Sequence, residues 1–201
     1  MSEYHPPGAA PALPDLYNLN VFLVGMMGCG KTTIGHRLAA ALGYQFVDTD
    51  GVIVQLMQQS VSEIFATQGE SYFRELETQV LSELAAHTRL VIGTGGGIIL
   101  KRDNWGHLRQ GLVIWLDVSL EDLWQRLKHD RTRPLLRKRD PYRELQTLLR
   151  DRQALYSQAD LHIQPQASSS PEQVVTQILT ALPTVIRSED NCKREPLRNG
   201  Q

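Results

Sequence analysis

The sequence predicts an α/β domain in which helices cover both faces of a mostly parallel sheet. Three observations carry this expectation. Short apolar runs alternate with helix-patterned stretches along most of the chain. The runs are nearly continuous rather than alternating with polar residues, as strands buried on both faces require. A glycine-rich turn ending in Lys31 and Thr32 joins the first run to the first helix, the strand–turn–helix setting of a phosphate-binding loop.

The elements follow in order. Residues 1–19, "MSEYHPPGAAPALPDLYNL", are rich in Pro and Ala. They lack the basic start and long apolar stretch of a signal peptide and the Arg content of a transit peptide, and read as a flexible arm. "NVFLVG" (20–25) is the first strand and "TTIGHRLAAALG" (32–43) the first helix; "YQFVD" (44–48) is the second strand, ahead of a helix at "VIVQLMQQ" (52–59). Ser60 and Glu63 have capping-box spacing, and "GESYFRELE" (69–77) opens a further helix. "RLVIG" (89–93), "LVIWLD" (112–117) and "LHIQP" (161–165) complete the strands. Ser119 with Asp122 marks another helix start, more weakly. Asp140-Pro141 and Ser170-Pro171 each place a capping residue before a proline at the first helical position, and Gln173 completes the second as a box. The polar, charged stretch from Pro183 onward reads as a fraying tail. The expected domain therefore spans 20–182, with substrate-side helices over about 50–87.

Composition excludes several classes. The chain has 201 residues, 41% of them hydrophobic and 21% charged, which is ordinary for one globular domain. Lys and Arg number 21 against 22 Asp and Glu, a net charge of −1, so a general nucleic-acid or acidic-membrane binder is not expected. No apolar run approaches the ~20 residues of a membrane span. The two cysteines, Cys29 and Cys192, are far apart and lack metal-ligand spacing; a reducing cytoplasm fits them.

Chemistry begins at "GMMGCGKTT" (25–33), which satisfies G-x-x-x-x-G-K-[ST] with Gly25, Gly30, Lys31 and Thr32. Glycines let the backbone curl so that N–H groups point inward, and the helix start adds partial positive charge. Gly28, Cys29, Gly30 and Thr33 belong to this cradle. Lys31 is expected to reach the outer phosphates of a nucleotide and Thr32 to ligate Mg²⁺. Cys29 reads as a small filler, with a lowered thiol pKa at a positive helix end as the alternative. "DTD" (48–50) sets two carboxylates on one face of a strand end. A Mg²⁺ near Asp48 relieves their repulsion. Asp50 then faces the acceptor of the phosphoryl group, a role compatible with capping the next helix.

Three further stretches bear on that acceptor. Gly95, Gly96 and Gly97 in "TGGGI" permit close backbone approach to a small ligand. Arg74 and Arg152, each one turn or more inside a helix, form a pair able to fork onto a carboxylate. "HDRTRPLLRKRD" (129–140) gathers Arg131, Arg133, Arg137, Lys138 and Arg139 around Pro134, the pattern of a basic lid over about 130–140 that stays open until an anion arrives.

Taken together, "GMMGCGKTTIG", "DTD", "IFATQGESYFRELE", "GTGGG", "RPLL" and "RDRQALY" fall in the order and spacing of the shikimate kinase family, which the chain resembles from about Asn20 to Leu182. The resemblance implies a P-loop NTPase of the nucleoside-monophosphate-kinase-like type, three-layered α/β/α with a five-stranded parallel sheet. It implies transfer of the γ-phosphoryl of ATP to the 3-hydroxyl of shikimate, with Mg²⁺; a cytoplasmic setting and a monomer are expected beside it. It assigns Lys31 and Thr32 to phosphate and metal, Asp48 to the metal side, and Asp50 to the acceptor hydroxyl. Arg74, Arg152 and the glycines 95–97 go to the shikimate pocket, Arg133 to the lid, and Arg126 to the adenine. Cys29 departs from the family's more usual Ser or Ala, and both arms are longer. Two rivals stand beside this reading: a kinase of the same fold acting on gluconate or a nucleotide, and a ligand-binding relative that has lost catalysis.

Overall fold

The computed structural model describes residues 16–130 and 139–192. Five strands, β1 (Val21–Val24), β2 (Gln45–Asp48), β3 (Leu90–Gly93), β4 (Leu112–Leu116) and β5 (Leu161–Ile163), form one sheet in the order β2-β3-β1-β4-β5. All pairs are parallel. The strands fall within a residue or two of the runs expected from sequence, and β1, β3 and β4 are buried along their whole length.

Among the described residues there are seven α-helices, α1 (Lys31–Leu42), α2 (Thr49–Met57), α3 (Val61–Ala85), α4 (Arg102–Leu108), α5 (Leu120–Leu127) and α6 (Pro141–Tyr156) between strands and α7 (Pro171–Cys192) after the last. Right-handed crossovers fix their sides. The step from β1 out to β2 sends α1 to one face, where α7 packs on it. The return steps through β3, β4 and β5 send α3, α4, α5 and α6 to the other face. The caps are those the sequence marks: Ser60 with Glu63, Ser119, Asp140 ahead of Pro141, and Ser170 with Gln173. The main core lines both faces of the sheet, and a smaller one, Ile53, Ile64, Phe73 and Val80, lies between α2 and α3.

Several expectations shift. The arm ends earlier than residue 19: Leu16 is buried in the main core, and Asn18 accepts a bond from the Arg89 N–H at 3.1 Å. The tail does not fray at Pro183, because α7 runs through it to Cys192. The proline removes one helical donor, yet Leu182 is fully buried and Val185 and Ile186 pack on the core. Asp48, not Asp50, caps α2. The remaining arm (1–15), most of the expected lid (131–138, with Arg133) and the end of the tail (193–201) lie outside the described residues. Among the described residues no helix is long and apolar enough to cross a membrane.

Candidate active site

The carboxyl ends of parallel strands are where an open α/β sheet leaves room for ligands, and the singled-out residues converge there. After β1 the chain curls through Gly25, Gly28 and Gly30, all at positive φ. Gly25 also has no room for a side chain, since a Cβ would stand 2.7 Å from the Leu116 carbonyl oxygen. Lys31 folds over this loop and donates to the carbonyls of Gly25 (2.8 Å) and Met26 (3.0 Å). Its Nζ lies 3.7 Å from the Cys29 Sγ, and Cys29 is buried, as a filler of the loop should be.

Register places the acidic pair. Asp48 is the direct partner of Gly93 across β2 and β3, so it stands beside the glycine turn that follows β3. Its Oδ2 accepts from the Thr32 hydroxyl at 3.0 Å. Its Oδ1 accepts from the backbone N–H groups of Asp50 (3.1 Å) and Gly51 (3.3 Å). One carboxylate thus fastens the loop, the strand end and the first turn of α2. Thr49, fully buried, accepts from the Gly95 N–H at 3.0 Å and ties the same turn to the glycines.

The glycine turn, 94–97, is the centre of the second half of the site. A Cβ on Gly95 would collide with Glu77 and stand 2.8 Å from Asp50 Oδ1; a Cβ on Gly97 would collide with the Arg74 guanidinium. The Gly96 carbonyl accepts from Arg152 Nη1 (3.1 Å) and from the Tyr156 hydroxyl (2.8 Å). Arg74 donates to Glu77 at 2.6 Å and to Glu70 at 2.8 Å, and lies over the rings of Phe73 and Phe65, 5.6 and 6.0 Å from their centroids. Burial tends to push the Arg74 guanidinium down, but the two carboxylates more than offset this and raise it. Burial raises the Glu77 carboxyl above its ordinary value despite Arg74. Burial likewise pushes the Tyr156 hydroxyl well up, so it stays a donor.

Two cavities flank the loop. One of about 480 Å³ runs from Gly28, Lys31, Thr32 and Thr33 past Asp48 and Asp50 to Thr94 and Gly96. The other, about 300 Å³, lies beyond Gly28 and Cys29, bounded by Arg126, Pro165 and Val174. Arg126 donates to the carbonyls of Gly28 (3.1 Å) and Cys29 (3.3 Å). The structure therefore brings together every expected site residue except Arg133, which lies outside the described residues. Sequence reading missed Glu77, Tyr156, Thr49 and Pro165. Two had a usable signal: Glu77 follows Arg74 by three residues and Tyr156 follows Arg152 by four, the helical spacings that bring side chains together.

Comparison with known proteins bears on this assembly. The family model described as shikimate kinase matches residues 27–183. A shikimate kinase of Rippkaea orientalis is 54% identical over 172 residues, which cover 86% of this chain and 92% of that protein. One of Trichormus variabilis is 50% identical over 172 residues, 86% of this chain and 95% of that protein. Among solved structures, a shikimate kinase from Acinetobacter baumannii in complex with shikimate superposes with a TM-score of 0.80 at 36% identity, covering 84% of this chain and 95% of that one. A match of this extent, over the same segments that build the loop, the acidic pair and the glycine turn, places the chain in the shikimate kinase family.

Proposed function

We propose that this protein transfers the γ-phosphoryl group of ATP to the 3-hydroxyl of shikimate, giving ADP and shikimate 3-phosphate. The observation that carries the reading is the convergence on one glycine turn. Asp50 reaches Gly95, Arg74 reaches Gly97 and Arg152 reaches Gly96, and the same turn adjoins the cavity that contains Lys31, Thr32 and Asp48. An acid and two guanidinium groups beside a phosphate cradle suit a small polyol bearing a carboxylate. The related Acinetobacter baumannii enzyme, solved with shikimate, supports that choice.

The roles follow from position. The cradle and Lys31 hold the outer phosphates; the smaller cavity, between Arg126 and Pro165, suits the adenine. Arg74 and Arg152 fork onto the shikimate carboxylate with charge-assisted bonds. That fixes the ring with its 3-hydroxyl toward Asp50. The hydroxyl oxygen attacks the γ-phosphorus, the bond to the bridging β–γ oxygen breaks, ADP leaves with that electron pair, and Asp50 takes the hydroxyl proton. Thr32 Oγ1 and Asp48 Oδ2, 3.0 Å apart, are the hard oxygen donors that Mg²⁺ prefers, in the small number it accepts alongside phosphates. When bound there the ion supplies charge stabilisation at the transferring group. Arg133, by its place in the sequence, would add a further cation to the phosphates. Positioning and charge together account for most of phosphoryl-transfer catalysis.

The test is ADP release from ATP and Mg²⁺ with shikimate, gluconate or AMP as acceptor. Shikimate alone should support turnover. Turnover with gluconate or AMP instead reassigns the acceptor, and no turnover with any acceptor despite ligand binding leaves a non-catalytic relative.

A further inference from the structure

Tyr156 is the last residue of α6 and is fully buried. Its ring stacks on Trp115 of β4, 5.7 Å between centroids and 20° between planes. Its hydroxyl donates to the Gly96 carbonyl at 2.8 Å and lies 3.8 Å from the Met26 Sδ in the phosphate loop. The same carbonyl accepts from Arg152 Nη1 at 3.1 Å. A carbonyl has two lone pairs, and here two side chains one helical turn apart on α6 both reach for it.

The two donors are unequal in what else they must do. Arg152 is one of the two cations placed to meet the substrate's carboxylate. Any bond it keeps to Gly96 competes with that task. The Tyr156 hydroxyl, which also meets the Arg152 side chain, belongs to a ring stacked on Trp115 and stays at the carbonyl. Resting on the proposed reaction, we infer that Tyr156 is a positioning residue: its hydroxyl holds the Gly96 carbonyl, so that Arg152 can turn its guanidinium from the glycine turn onto the carboxylate of shikimate. Without that hydroxyl, Arg152 becomes the sole side-chain partner of the carbonyl among the described residues. Shikimate must then take a guanidinium away from a group left unsatisfied, which weakens binding.

The test is Tyr156→Phe, which keeps the ring volume and the stack. Calorimetric titration with shikimate alone should show a dissociation constant raised about three- to tenfold, the equivalent of one lost neutral hydrogen bond. The ATP KM and the kcat at saturating shikimate should stay within about twofold of wild type, since neither depends on the Arg152 contact. In an Arg152→Ala background the same Tyr156→Phe change should alter shikimate affinity by less than about twofold, because the competition it relieves is gone. An unchanged dissociation constant overturns the inference. So does an equal loss in the Arg152→Ala background, a matching rise in the ATP KM, or failure of the Phe variant to stay folded, each of which would assign Tyr156 to the frame of the fold. Wild-type protein that binds shikimate but releases no ADP is a different failure, that of the proposed reaction, and is seen before any variant is made.

Discussion

Glu77 is 1% exposed and gives Oε2 to Arg74 at 2.6 Å, while its Oε1 is buried with no hydrogen-bond partner among the described residues. Its carboxyl is raised above 4.5 by burial first, with Arg74 and Arg152 opposing and Asp50 adding to the rise. The pair's two shifts point opposite ways: pairing wins for Arg74, which keeps some contact with water, and burial wins for Glu77, which has almost none. An acid raised in the folded state favours folding fully below its unfolded value and loses that contribution as pH rises through the folded value. The contribution of Glu77 to wild-type stability should therefore fall as pH climbs from 4.5, and Glu77→Gln, neutral throughout, lacks that fall. The gap in melting temperature, variant minus wild type, should grow between pH 4 and pH 7; a gap that is flat or shrinks sinks the argument. The variant should also bind shikimate more weakly, because among the described residues Arg74 then keeps one carboxylate partner, the exposed Glu70, beside the two rings. Arg74 was legible from sequence because carboxylate recognition demands a fork. Glu77 was not, because an acid three residues along a helix usually marks a solvated face, and only the packing of α3 on the glycine turn reveals its burial.

The glycine turn is the element on which the site is hung. Gly97 has φ −99° and ψ 0°, a negative-φ turn conformation that is open to alanine, yet a Cβ there would collide with the Arg74 guanidinium. The collision is with the end of a long side chain, so the fold can yield and the arginine is what moves. Gly97→Ala should raise the shikimate KM roughly 10- to 100-fold, the loss of a charge-assisted contact. The ATP KM and the melting temperature should change little. A KM near wild type would show that Arg74 has room to move without losing its grip. Three glycines after a buried strand are a local signal, and so are the strands and caps, since each is decided by residues within a few positions. The path of α7 is not local. Pro183 argues against a helix by its missing donor, and burial of Leu182, Val185 and Ile186 outweighs it. The seating of Leu16 likewise rests on neighbours distant in sequence, those of the main core.

The molecule as a whole has two cores of unequal size. The large one spans both faces of the sheet, and the small one, Ile53, Ile64, Phe73 and Val80, joins α2 to α3. The small unit is also interrupted: Gly69, at φ 83° and ψ 172°, breaks the helical path of α3, and α2 leaves Val54 and Leu56 exposed. Fewer buried apolar side chains and a broken hydrogen-bond ladder mean a smaller free energy of local opening. Amides of α2 and of α3 before Gly69 should therefore exchange at least about tenfold faster than those of β1, β3 and β4, which open only when the sheet does. The small unit carries Asp50 and Arg74 and the main body carries Arg152, so a ligand gripped by all three crosses the seam between the two cores. Shikimate at about 100 times its dissociation constant contributes roughly 2.7 kcal/mol to whatever state binds it. If opening of the α2–α3 unit destroys the site, exchange there should slow by about two orders of magnitude. Shikimate would then convert a loosely attached unit into part of the main body before phosphoryl transfer begins. Uniform exchange across both cores in the free protein, or slowing confined to the sheet on adding shikimate, would show instead that the molecule opens as one unit and that the seam has no part in binding.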